Sequence, residues 1–445
     1  SIEKSEMLSD LLTKAGVPAS LGSFDRFGML ALGGVAPVGP RTAQRLVSWR
    51  VDKDTAGVIL PADDPAFSHY LARRKADGFR LNINVLGEAI LGDLEADERA
   101  RRVARLISRP DVDYVSVKIS AVCANLDVLA WDDSLARIET QLIRLYRAAR
   151  DASPQTFVNL DMEEYRDLEM SVEAFMRVLD RDEFQHLPAG IVLQAYIPDS
   201  HAALETLCTW ANARRARGGA PTKIRIVKGA NLANELVEAE VHDWPLATYP
   251  TKPDVDASYK RMLDRALELG DPDAVRLGIA SHNLFEVGWA LALRDARPDG
   301  DRIEIEMLEG MAPPQARAVR EAAGSLLLYA PVVAKSDREA SIAYLSRRLD
   351  ENAAPENFLR ALFDITPGSR VWHEQADLFR ASVRERNSVS TATRRVQDRA
   401  RPLEAHAADG SFSNAVDTDF TLAANRAWAA EALAQTVIPE PELVT

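Results

Sequence analysis

The chain has 445 residues, 47% of them hydrophobic, enough for a large buried core. Its formal net charge is −13, with acidic and basic residues mixed along the chain, so no basic footprint for nucleic acid is present. Cys123 and Cys208 stand outside any CxxC or Cys/His cluster, which argues against a disulfide framework or a structural metal and fits a reducing compartment. No apolar run reaches membrane-spanning length.

Residues 1–80 read as an N-terminal helical arm, broken by GGVAPVGP at 33–40. From residue 81 short β-rich runs alternate with amphipathic stretches. LNINVLGE (81–88), YVSVKIS (114–120), FVNLDME (157–163) and GIVLQAY (190–196) predict four strands. KIRIVKGA (223–230), VRLGIASHN (275–283), IEIEMLEGM (303–311) and SLLLYAPV (325–332) predict four more. Between them lie segments such as DERARRVARLISR and ASYKRMLDRALELG, with apolar residues at helical spacing. Eight strand–helix units over 81–355 predict an α/β fold, a (β/α)8 TIM-type barrel. A doubly wound sheet is the alternative, although no strand is followed by GxGxxG. Residues 356–405 read as a helical extension and 406–445 as a small-residue linker followed by an arm.

Strands of a parallel barrel are buried on both faces, so alternation of polar and apolar residues in them is unexpected. Here it recurs. Asn82, Asn84 and Glu88 share one face, as do Ser116, Lys118 and Ser120, and Asn159, Asp161 and Glu163; Gln194 with Tyr196, Arg225, and Glu304 with Glu306 continue the pattern. If the apolar face meets the helices, these groups converge on the axis near the C-terminal strand ends, where barrel enzymes hold their active sites. Buried charges need partners, and Lys118 and Asp161 on adjacent strands are natural ones. Just past one strand, Gly229 in KGA (228–230) lets backbone amides approach a pyrophosphate closely. His282 in ASHN ends another strand, as a ligand-facing or a structural histidine. In AYLSRRLDEN (343–352), Arg347 and Arg348 are adjacent on a predicted helix. They form either a surface face with an Arg347–Glu351 pair or a carboxylate clamp.

The ordered motifs LNINVLGEA, YVSVKIS, NLDMEE, VLQAY, RIVKGA, ASHN, LEGM, YAPV and YLSRRLDEN, over about residues 45–365, resemble the proline dehydrogenase family. The likeness is strongest to the proline dehydrogenase module of bifunctional proline utilisation A proteins. DTDFTLAANRAWAAEAL (417–433) resembles the start of their aldehyde dehydrogenase half, which implies that a C-terminal domain is missing from this chain. The resemblance implies FAD bound without a Rossmann motif, and oxidation of L-proline to 1-pyrroline-5-carboxylate by hydride transfer to flavin N5. Electrons would pass to a membrane quinone, with the protein cytoplasmic or peripheral at the inner membrane.

The same resemblance assigns residues. Arg347 and Arg348 would pair with the proline carboxylate, Glu88 would hold the arginines, and Tyr329 and Tyr344 would pack over the substrate ring. Lys118, tied to Asp161, would lie beside flavin and substrate, and Arg225 would reach flavin N5. Gln194, Val227, Lys228, Gly229, Ala230, Thr251, Lys252, Ala280, Ser281, His282, Asn283, Glu306, Tyr329 and Glu351 would line the FAD site; no metal is implied. Asn231 stands where some members carry an aromatic, Glu306 and Glu309 where Gln and His occur, and Ser281 where Thr occurs. Competing readings are a methylenetetrahydrofolate reductase-like flavin barrel, a DNA-binding regulator, which needs a basic ribbon module, and a barrel scaffold without catalysis.

Overall fold

The structure, a computed structural model, describes residues 60–61, 65–86, 90, 92–333, 344–345, 348, 357–362, 364–401 and 416–435. Chain contacts divide it at residue 60, and the barrel belongs to the second unit, Pro61–Thr445. Of the residues singled out above, Glu88, Arg347 and Glu351 lie outside the described set, as do 1–59, 402–415 and 436–445.

A helix, α1 (Ala66–Ala76), precedes the first barrel strand. Strands β1 (Arg80–Val85), β2 (Tyr114–Lys118), β3 (Phe157–Asp161), β4 (Ala189–Gln194), β5 (Thr222–Val227), β6 (Val275–Ala280), β7 (Ile303–Leu308) and β8 (Leu327–Val333) follow in order. Each pairs in parallel with the next, and β8 pairs with both β7 and β1, through Leu308↔Tyr329 and Asn82↔Tyr329. That last pairing closes the sheet, so the doubly wound alternative falls. Between strands run α2 (Asp93–Ile107), α3 (Trp131–Asp151), α4 (Leu168–Leu179), α5 (Ser200–Ala216), α6 (Leu232–His242), α7 (Lys252–Leu269), α8 (Leu284–Asp295) and α9 (Pro313–Ala323). Beyond the barrel lie α10 (Phe358–Ala361), α11 (Arg370–Glu385) and α12 (Ala423–Gln435).

The helices follow their apolar spacing. In α2, Ala96, Ala100, Val103 and Ile107 form the buried stripe, with Asp93 and Glu95 in the first turn and Arg105 in the last, matching the helix dipole. Two helices at the upper rim are capped by side chains: Thr251 Oγ1 accepts from Asp254 N at the start of α7, and Asn283 Oδ1 from Phe285 N at the start of α8. α11 packs along α7, and its Trp372 and Phe379 meet Phe285 of α8, with ring centroids 4.8 and 6.1 Å apart.

Alternation within strands has the predicted sense. Leu81, Ile83, Val115, Val117, Val158 and Leu160 are buried, and so are the intervening Asn82, Asn84, Ser116, Asn159, Asp161 and Arg225. Small residues make room along the axis. A Cβ on Gly278 would lie 2.2 Å from Glu306 Oε1 and 2.8 Å from Lys223 Cε.

Candidate active site

The axis is filled by ion pairs stacked in layers. Deepest, the Lys223 ammonium bonds Glu304 and, at 2.5 Å, Glu306 Oε1, and Glu304 is held from outside by Arg80 at 2.5 Å. One layer up, Arg225 donates to Asp161 Oδ1 at 2.5 Å and to Glu306 Oε2 at 3.4 Å, with its guanidinium 5.0 Å from the Tyr329 ring centroid. Asp161 also accepts from Tyr329 Oη at 2.8 Å and from Asn159 Nδ2 at 3.0 Å. Burial disfavours the Arg225 charge, but Asp161 and Glu306 more than offset it and hold its pKa above the usual arginine value. Arg225 is thereby fixed as a cation at the floor of the opening above.

The expected Lys118–Asp161 ion pair is not formed. The two are register neighbours, but the oxygens of Asp161 are taken up by Arg225, Tyr329 and Asn159. Lys118 reaches one layer higher and pairs with Glu163, which also accepts from Ser120 Oγ. The backbone carbonyl of Glu163 accepts from Gln194 Nε2 and Asn231 Nδ2, both at 2.9 Å, which fixes the segment that carries the carboxylate.

Above these layers a cavity of about 390 Å³ opens at the C-terminal strand ends. Lys118, Asp161, Gln194, Arg225, Val227, Lys228, Gly229, Ala230, Lys252, Ala280, Ser281, His282, Asn283, Glu306, Tyr329, Tyr344 and Arg348 all line it. Residues far apart in sequence thus meet at one mouth, of a size usual for ligand sites. Thr251 does not line the cavity; its hydroxyl donates to Asp254 Oδ2 at 2.5 Å at the cap of α7. Arg348 lies over Tyr344, 5.3 Å from its ring centroid.

Lys228 on the β5–α6 loop contacts Asp256 Oδ1 at 2.5 Å and Glu286 Oε1 at 2.8 Å, and these carboxylates outweigh burial to keep it cationic. Gly229 has φ +140°, and a Cβ there would lie 2.4 Å from the Tyr196 ring, so only glycine lets this loop pass so close. His282 Nε2 accepts from Leu308 N at 2.9 Å, while Nδ1 is buried without a partner. Burial, aided by the Arg348 charge, pushes the His282 pKa down to about 4, so the ring is neutral near pH 7 and carries its proton on Nδ1.

Sequence reasoning placed Glu163 on the inward face without naming its partner, and assigned no role to Lys223, Asp256 or Glu286. Lys223 had a signal, since it shares the inward phase of Arg225 two residues on. Asp256 and Glu286 sit on helices, where spacing marks a buried face without showing what it touches. Glu309, flagged as a departure, turns away from the mouth and receives two bonds of 2.9 Å from Arg74 Nη2 on α1.

A family model described as proline dehydrogenase matches residues 67–361. Among curated proteins, the chain is 28% identical over 309 residues to the bifunctional protein PutA of Salmonella typhimurium, covering 65% of this chain and 22% of that protein. It is 27% identical over 283 residues to the proline dehydrogenase of Deinococcus radiodurans, covering 62% of this chain and 78% of that protein. The solved structure of proline utilization A from Corynebacterium freiburgense superposes with a TM-score of 0.74 at 40% identity, over 91% of this chain and 39% of that one. That from Bdellovibrio bacteriovorus, inactivated by N-propargylglycine, gives 0.74 at 25% identity, over 98% and 44%. The chain therefore spans less than half the length of these PutA relatives.

Proposed function

The chain belongs to the proline dehydrogenase family, and on that premise we propose that it oxidises L-proline to 1-pyrroline-5-carboxylate, with FAD as hydride acceptor and a membrane quinone as final oxidant. The observation that carries this reading is the convergence of Lys118, Arg225, Lys228, His282, Tyr329, Tyr344 and Arg348 on a single cavity at the barrel mouth. The donor set suits an anionic dinucleotide: Gly229 gives a close backbone approach, Lys228 and Lys252 offer ammonium groups, and His282 Nδ1 is a buried donor lacking an acceptor. FAD, when bound, supplies the two-electron sink.

The chain's own residues orient the substrate and set its charge. Arg348, stacked on Tyr344, would receive the proline carboxylate, with Arg347 as its partner. Tyr329, held by Asp161, would bound the ring. Hydride loss requires a neutral amine, and the cationic Lys118 and Arg225 disfavour a further ammonium in the cavity. Arg225, locked by Asp161, would stabilise negative charge on a reduced ring without reorganising.

Among the described residues no helix is long and apolar enough to cross a membrane. The proposed contact with a quinone, as the family resemblance implies, is peripheral, by a cytoplasmic protein at the inner membrane. The likeness of residues 417–433 to the start of an aldehyde dehydrogenase domain supports a bifunctional parent of which this chain is a part. The test is Arg348→Met. Losing a charge-assisted pair worth about 1.5–3 kcal/mol should raise KM for proline roughly tenfold to a hundredfold while bound flavin is retained. Unchanged proline kinetics would remove the carboxylate assignment and return the arginines to a surface role.

A further inference from the structure

The lysine that faces the cavity is one end of a longer run of charges. Asp256 is shared by Lys228, 2.5 Å from Oδ1, and Lys252, 2.5 Å from Oδ2. Glu286 Oε1 is shared by Lys228 at 2.8 Å and Lys260 at 3.2 Å. The other oxygen of Glu286 accepts from Ser281 Oγ at 2.8 Å, and that hydroxyl accepts from Asn283 N at 3.1 Å. One carboxylate, 1% exposed, therefore ties the loop after β5 to the loop after β6.

Lys260 does not line the cavity. It is 0% exposed and lies beneath α11, with its ammonium 4.9 Å from the Phe379 ring centroid and 6.0 Å from that of Trp289. A lysine so enclosed is costly, and burial pulls its pKa below the ordinary lysine value despite Glu286. It also escapes screening by salt.

The charge count differs from that along the axis. There, Arg80, Lys223 and Arg225 face Asp161, Glu304 and Glu306, three against three. At the rim, among the described residues, Lys228, Lys252 and Lys260 face Asp256 and Glu286, three against two. The surplus sits where two of the three ammonium groups open to the cavity.

We propose that Lys260 is a positioning residue for an anionic cofactor: acting through Glu286, it holds Lys228 at the cavity and leaves this described cluster with one positive charge in excess, a sign that favours a diphosphate. This rests on the flavin reading above and deepens it, because it assigns recognition of the diphosphate in part to a side chain that never touches it.

The experiment compares wild type and Lys260→Met as apoprotein, titrated with FAD and with riboflavin, which has the same ring system and no phosphate. Methionine matches the lysine stem as far as Cε and suits the rings of Phe379 and Trp289. The variant should bind FAD at least tenfold more weakly and change riboflavin affinity less than twofold. Equal FAD affinity in the two proteins overturns the inference. A parallel loss for both flavins does so too, since it marks Lys260 as structural only. A wild-type chain that binds neither flavin overturns the flavin reading and this inference with it. If Lys260→Met does not fold, Lys260→Gln removes the same charge while leaving Glu286 in place and should show the same selective loss for FAD; FAD affinity equal to that of wild type refutes the proposal.

Discussion

Replacing Asp161 by alanine tests the account of the barrel axis. Its carboxylate receives Arg225 at 2.5 Å, Tyr329 at 2.8 Å and Asn159 at 3.0 Å, and it is 5% exposed. Breaking one side of such a buried pair costs about 3–5 kcal/mol, because the remaining charge is stranded away from water. Glu306 keeps a weaker hold on Arg225 at 3.4 Å, which places the expected loss near the lower end, at about 3 kcal/mol. Asp161→Asn retains the volume and one acceptor oxygen and should lose less, about 2 kcal/mol. Urea unfolding followed by tryptophan fluorescence reads both differences from the shift of the midpoint at constant slope. A loss under about 1 kcal/mol for Asp161→Ala would mean that Arg225 does not depend on this carboxylate. The layered-pair description would then be wrong.

Other consequences follow from single contacts. Gly278→Ala puts a methyl group 2.2 Å from Glu306 Oε1 and should cost about 2 kcal/mol or more in the same assay; a neutral result would show that the Lys223–Glu306 layer yields easily. Gly229→Ala adds a Cβ at φ +140° against Tyr196, so the purified protein should carry far less flavin than wild type, and an unchanged flavin content would contradict the close approach of this loop. His201, 6% exposed and hydrogen-bonded to Ser258, has its pKa pushed down by burial to about 4 from the usual 6.5. The unfolded chain therefore takes up this proton first, and up to about 3 kcal/mol of stability, fully present above pH 6.5, is lost as pH falls toward 4. His201→Gln should flatten that slope by up to one proton, and an unchanged slope would assign the acid sensitivity elsewhere.

The barrel was legible because its strands break the rule for parallel sheets. A continuous apolar run in place of NINV, VSVK or VNLD would have left the inward face unreadable, whereas the alternation announces polar groups converging on the axis. Partner choice was less legible. Lys118 and Asp161 are register neighbours, yet the long lysine chain reaches up to Glu163 while Arg225, two strands away from β3, claims Asp161. Pairing across a barrel depends on side-chain length and on competition among acceptors, which a linear pattern does not encode. Thr251 shows a related limit: motif position says nothing of its role as the cap of α7, beside the cavity-lining Lys252. The residues behind the rim, Asp256, Glu286 and Lys260, carried no signal at all. Two helices brought together by the fold create that network, and their spacing alone reads as ordinary amphipathic surface.

The most direct test of the central claim is an anaerobic titration of the purified protein with L-proline, followed by visible absorption. The account predicts a bound flavin spectrum that bleaches with L-proline and not with D-proline. A flavin that stays oxidised in excess L-proline would contradict the proposed reaction, and a colourless protein that FAD cannot reconstitute would contradict the assignment of the cavity itself.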